Sequence, residues 1–122
     1  MAQEPLIDIT LYHNPRCSKS RCALELVRER GVEPNIIPYL DQPPERATLE
    51  ALVRLTGVAS VRELMRTKED EYKVLNLASI NDEQALLDAL VAHPRLLERP
   101  IAVAGDKAVV ARPPERVLEL LP

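Results

Sequence analysis

Near the end of the chain two apolar runs, Ile101-Ala102-Val103-Ala104 and Lys107-Ala108-Val109-Val110-Ala111, are separated only by Gly105-Asp106. A two-residue turn of this type between such runs leaves the segment little choice but a β-hairpin. A lone hairpin cannot bury its apolar face, so it demands further strands and a covering layer. The other end of the chain supplies them. Residues 6–12 alternate apolar and polar with β-branched positions, as a strand does, and residues 23–30 follow helical spacing up to Gly31. Pro34 then leads into residues 35–40, a short apolar run with a proline inside it, suited to the edge of a sheet. Strand, helix and strand in this order imply a right-handed crossover and a parallel pair.

The middle of the chain is helical. Leu49, Leu52, Val53 and Leu55 recur at helical spacing from Thr48 until Gly57. Ser60 with Glu63 three residues on is a capping-box pattern, opening a short helix through Val61, Leu64 and Met65 that ends near Arg66. Residues 67–79 are polar at first, anchored by Leu75 and Leu77, and read as turn or loop with some helix. Asn81 can cap a helix with an apolar stripe of Ala85, Leu86, Ala89, Leu90 and Val91, closed before His93-Pro94, with Leu96 and Leu97 tucked against it. After the hairpin, Pro113-Pro114 suit the first turn of a last helix that buries Val117, Leu118 and Leu121. The order β-α-β, helices, β-β-α predicts one domain over residues 1–122: an α/β, thioredoxin-like fold with a four-stranded mixed sheet and an inserted helical layer at about 45–92.

Composition narrows the function. A chain of 122 residues, 46% of them hydrophobic, can bury one core, and with no Phe or Trp and three Tyr that core must be aliphatic. Few rings remain to stack on bases, and the formal net charge of −3 is opposite in sign to that of a phosphate-backbone binder, so no nucleic-acid partner is expected. Met1-Ala2-Gln3-Glu4-Pro5 has neither the basic nor the apolar region of a secretory signal, and no apolar run approaches membrane-spanning length. A cytoplasmic protein without a membrane partner is the expectation. Two cysteines in a reducing compartment are free, catalytic or metal-bound rather than a staple. Cys17, Cys22, His13 and His93 do not have zinc-ligand spacing, so no metal is expected.

The chemistry concentrates in His13-Asn14-Pro15-Arg16-Cys17-Ser18-Lys19-Ser20-Arg21, between the first strand and the first helix. Unpartnered N–H groups and the positive end of the helix dipole favour a thiolate or a bound oxyanion at such a corner. Arg16, Lys19, Arg21 and His13 add cationic charge that lowers a thiol pKa. Cys17 therefore reads as a reactive cysteine, the alternative being a small buried hydrophobe. His13 assists the thiolate only if its ring is protonated or donates a hydrogen bond; otherwise it is a turn histidine that caps backbone groups. Cys22, five residues further along a helix, points to a different face from Cys17 and reads as a packing residue rather than a disulfide partner. Ser20 stands where a C-x-x-C protein has its second cysteine, which argues against a dithiol oxidoreductase.

Several motifs then fall into register with a known family. Tyr12 through Arg21, Glu33-Pro34, Tyr39-Leu40 with Pro43-Pro44, Arg62-Glu63-Leu64-Met65-Arg66, His93-Pro94, Arg99-Pro100-Ile101 and Arg112-Pro113 resemble the glutaredoxin-linked arsenate reductases in order and spacing. The resemblance implies that Cys17 is the nucleophile and His13 the histidine that favours its thiolate. It also implies that Arg66, Arg99 and Arg112 hold the oxyanion and its thiol adduct; Ser18 and Ser20 are counted with them in the substrate-binding set. Arg99-Pro100 matches the cis-proline position of the fold. Arsenate is the implied substrate, glutathione the co-substrate and glutaredoxin the reductant, with no tightly bound cofactor. The chemistry is coherent, because a tetrahedral dianion needs several donors around it and guanidinium forks match its oxygens. The alternatives are a thioredoxin-fold regulatory or binding protein, and a monothiol oxidoreductase of the same family with a substrate other than arsenate.

Overall fold

Side-chain alternation along the central strand determines how the layers assemble. The computed structural model describes residues 8–98 and 100–121, so the expected strand positions 6 and 7 lie outside the described residues. Strand β1, Ile9–His13, pairs in parallel with β2, Asn35–Pro38, and antiparallel with β3, Ile101–Ala104; β3 pairs antiparallel with β4, Lys107–Val110. The sheet order is β2-β1-β3-β4, a four-stranded mixed sheet with β2 at one edge. Ile9 and Leu11 face one way with Ala102 and Val109 and pack on Ala23 and Val27 of helix α1, Ser18–Glu29, and on Val117. Tyr12 and Ile101 face the other way, into a larger core with Leu49, Leu52, Leu64, Leu86 and Leu90. The aliphatic core is thus split by the sheet into two layers.

The inserted layer contains α2, Arg46–Thr56, α3, Asp70–Val74, and α4, Glu83–Ala92, with short 3₁₀ turns between them. Helix α2 begins two residues before Thr48 and stops at Gly57, whose φ of 73° suits a residue without a Cβ. The capping box is present: Ser60 Oγ accepts from the Arg62 N–H and Glu63 Oε2 accepts from the Ser60 N–H, each at 3.1 Å. It opens a 3₁₀ turn, Val61–Leu64, rather than a longer helix. The segment read as loop with some helix contains α3 and a 3₁₀ turn, Leu77–Ser79.

Two expectations shift. The cap of α4 is Asp82, which accepts from the Gln84 N–H at 3.0 Å, not Asn81. The last helix is a 3₁₀ helix, Pro114–Leu120, that still buries Val117 and partly buries Leu118 and Leu121. The Arg112-Pro113 peptide is cis; the Arg99-Pro100 bond lies outside the described residues. None of the helices described is long and apolar enough to cross a membrane.

Candidate active site

The register of β1 decides what its last residue touches. His13 lies on the same face as Ile9 and Leu11, the face covered by α1, so its ring meets that helix. The buried stripe of α1 is Ser20, Ala23 and Val27, and Ser20, with 0% of its surface exposed, stands opposite His13. His13 Nδ1 and Ser20 Oγ are 2.5 Å apart, and Ser20 Oγ also accepts from the Asn14 N–H at 3.1 Å. Asn14 in turn accepts twice: its Oδ1 from the Arg16 N–H at 3.0 Å and its carbonyl from the Cys17 N–H at 3.0 Å. Arg21 Nη1 donates to the Pro15 carbonyl at 2.9 Å, closing the loop from the helix side. A short polar relay therefore fixes the path from strand to helix.

Cys17 is the N-cap residue of α1, with extended backbone (φ −94°, ψ 124°) and a half-buried side chain. Its carbonyl accepts the first helical bond, from the Arg21 N–H at 3.0 Å, and the first turn contains no acidic residue. The amides of such a first turn have no acceptor within the helix and point toward whatever anion sits at the corner. Ser18, exposed in this turn, is at the surface next to Cys17.

His13 is held neutral. Burial lowers its pKa first, and the charges of Arg28 and Arg21 lower it further. At neutral pH it is an uncharged hydrogen-bonding group, so it lends the corner no positive charge. Ser20, sealed inside with two hydrogen bonds, is a positioning group for His13 and the loop rather than a side chain open to substrate. Cys22 departs from its expected packing role: it is an exposed thiol, off the buried stripe of α1, and the two cysteines are not bridged.

Two arginines come from distant parts of the chain to the same end of the sheet. Tyr12 is opposite Ile101 and Ile101 is opposite Val110, so the loop after β1, the approach to β3 and the exit from β4 lie side by side. An isolated bridge between Met65 and Leu97 stitches the insertion to that approach, with the Arg66 N–H bonded to the Leu96 carbonyl and the Glu98 N–H to the Leu64 carbonyl, both at 2.7 Å. Arg66 is thereby held next to Glu98. Arg112 follows β4, whose exit is pinned by the bond from the Ala111 N–H to the Pro100 carbonyl at 2.8 Å. Glu98 Oε1 lies 3.1 Å from Arg112 Nη1 and 3.9 Å from Arg66 Nε, while Arg66 Nη1 also pairs with Glu69. Arg99 lies outside the described residues.

The two carboxylates of this cluster, Glu69 and Glu98, escaped the sequence reading. The available signal was an acidic residue directly before Arg99 in the chain. Beside the loop, a cleft of about 320 Å³ is lined by His13, Asn14, Pro15, Arg16, Pro38, Leu40 and Asp41. Among the described residues no group of three or more His, Cys, Asp or Glu could hold a metal ion.

Comparison with known proteins gives this geometry a family. The model of the ArsC family matches residues 12–120. The chain belongs to the ArsC family. An arsenate reductase of Neisseria meningitidis is 49% identical over 93% of this chain and 98% of its own length. The uncharacterized protein YfgD of Escherichia coli K12 is 54% identical over 93% of this chain and 96% of its own. Among solved structures, an arsenate reductase from Vibrio cholerae superposes with a TM-score of 0.93 at 44% identity, covering 96% of this chain and all of that one. The fold of that Vibrio cholerae structure is thus the fold described here.

Proposed function

We propose that this protein is an arsenate reductase that works through a Cys17 thiolate and draws its electrons from glutathione and glutaredoxin. The observation that carries the reading is the convergence at one sheet end of a cysteine at a helix N-terminus and two arginines, Arg66 and Arg112, from separate elements. The similarity to proteins named arsenate reductase at 44–49% identity supports the substrate.

In the proposed cycle the Cys17 sulfur attacks arsenic and one arsenate oxygen leaves as water, forming a sulfur–arsenic(V) bond. Glutathione adds its sulfur to the same arsenic, and a second oxygen leaves as water. A glutaredoxin thiolate then attacks the glutathione sulfur. The sulfur–arsenic bond breaks, its electron pair reduces arsenic(V) to arsenic(III), and a glutaredoxin–glutathione disulfide is formed. Water releases arsenite and returns the Cys17 thiol. The arginines hold the oxygens, in a set to which the sequence resemblance adds Arg99, and the helix N-terminus favours negative charge at the cysteine corner.

Arsenate-dependent NADPH consumption in the presence of glutathione, glutaredoxin and glutathione reductase tests this. The native chain should turn over and Cys17→Ser should not. Equal rates in the two, or no arsenate-dependent rate in the native chain, overturn the reading and favour a thioredoxin-fold protein of this family with another substrate or partner.

A further inference from the structure

A carboxylate occupies the space between two arginines that the proposed function gives to an oxyanion. One oxygen, Glu98 Oε1, faces both Arg112 Nη1 and Arg66 Nε. The Glu98 N–H is bonded to the Leu64 carbonyl and its side chain is largely buried between the two guanidinium groups, 22% exposed. Among the described residues, Arg66 pairs with both Glu69 and Glu98, and Arg112 pairs with Glu98. An incoming anion therefore meets arginines that already have an acceptor.

We propose that Glu98 is a specificity-determining residue, an internal carboxylate that competes for Arg66 and Arg112 and sets the threshold an external anion must exceed. This rests on the reading that those arginines hold the oxyanion. A singly charged anion offers the two guanidinium groups no more than Glu98 already does, and it must also be brought in from solution. A tetrahedral dianion offers twice the charge and several oxygens at once, so it can displace the Glu98 oxygen or share the donors with it. Glu98 thus screens out monoanions and weakens all ground-state anion binding.

The test uses the chain carrying Cys22→Ser, so that alkylation by iodoacetamide reads Cys17 alone. Arsenate, phosphate and nitrate are titrated as protectants of Cys17. Arsenate and phosphate should protect the parent chain while nitrate does not. In Glu98→Gln the half-protecting arsenate concentration should fall about two- to five-fold, the range of a partly exposed ion pair, and nitrate should begin to protect. Glu98→Asp, which keeps the charge, should stay close to the parent, and arsenate KM should fall in Glu98→Gln with kcat little changed. An unchanged or higher arsenate concentration in Glu98→Gln, with Arg112→Gln still raising it, overturns the role of Glu98 and leaves the oxyanion site standing. Absence of protection by any oxyanion in every chain, or Arg112→Gln behaving as the parent, overturns the oxyanion site itself.

Discussion

The Ser20 hydroxyl is the smallest group on which the cysteine loop depends. Truncating it in Ser20→Ala leaves His13 Nδ1 and the Asn14 N–H without their buried partner, which should cost about 1–3 kcal/mol of stability in a denaturant titration. His13 should titrate below the value near 6.5 of an exposed imidazole, as followed by its ring proton resonances. The sign follows from linkage. The unfolded chain binds that proton more readily than the native one, so falling pH removes stability from the unfolded-state pKa downward until the folded ring is protonated as well. At this scale Cys17 and its corner were legible, because a strand, a cysteine and a helix start are local signals. The pairing of His13 with Ser20 was not, because it needs the face of β1 and the stripe of α1 to be known together. For the same reason Cys22 was given a packing role that belongs to Ser20, Ala23 and Val27.

At the scale of elements, the inserted layer is tied by two charged side chains used as connectors. Arg62 donates to Tyr72 Oη, to the Leu77 carbonyl at 3.0 Å and to the Ile80 carbonyl, joining the turn before Arg66 to α3 and the start of α4. Arg62→Leu deprives those acceptors of a donor and should cost about 1–3 kcal/mol, measured by chemical denaturation. Glu83, at the start of α4, accepts from the Val61 N–H and the Ser60 hydroxyl, each at 2.8 Å, and these bonds hold its carboxyl below the usual range. The resulting stability is complete above the unfolded-state pKa and is lost as pH falls through the lower folded-state value. Native protein and Glu83→Gln should therefore differ in melting temperature at neutral pH and converge in acid. The capping box at Ser60 and Glu63 was legible because both partners are three residues apart. The choice of Asp82 over Asn81 was not, since adjacent residues with equally able side chains are separated only by where tertiary packing starts the helix. Residues 67–79 were legible only as loop with some helix, because the five residues of α3 barely exceed one period and give its bounds no signal.

Over the whole molecule, the hairpin and the β-α-β unit told the architecture from sequence, since two strong local patterns left one economical way to join them into a mixed sheet. The sequence pattern did not report which end of that sheet would gather Arg66, Glu98 and Arg112, because this depends on register: Tyr12 against Ile101 and Ile101 against Val110. Amide hydrogen exchange should be slowest in β1 and β3, whose Leu11 and Ala102 are fully buried, and faster in the edge strand β2, where Ile36 is exposed. Equal rates across the sheet would contradict the two-layer core. The β1–β3 register also imposes an order of assembly. During synthesis β1 emerges before the helical insertion, yet its antiparallel neighbour β3 follows only after the whole insertion has been made. A nascent chain can form the β-α-β unit early, but its cysteine corner must wait for β3 and β4 to leave the ribosome before Arg112 can reach the same end of the sheet. The segment that follows the helical insertion thus decides when the site comes into existence, and a chain arrested before β3 would carry the cysteine without that arginine.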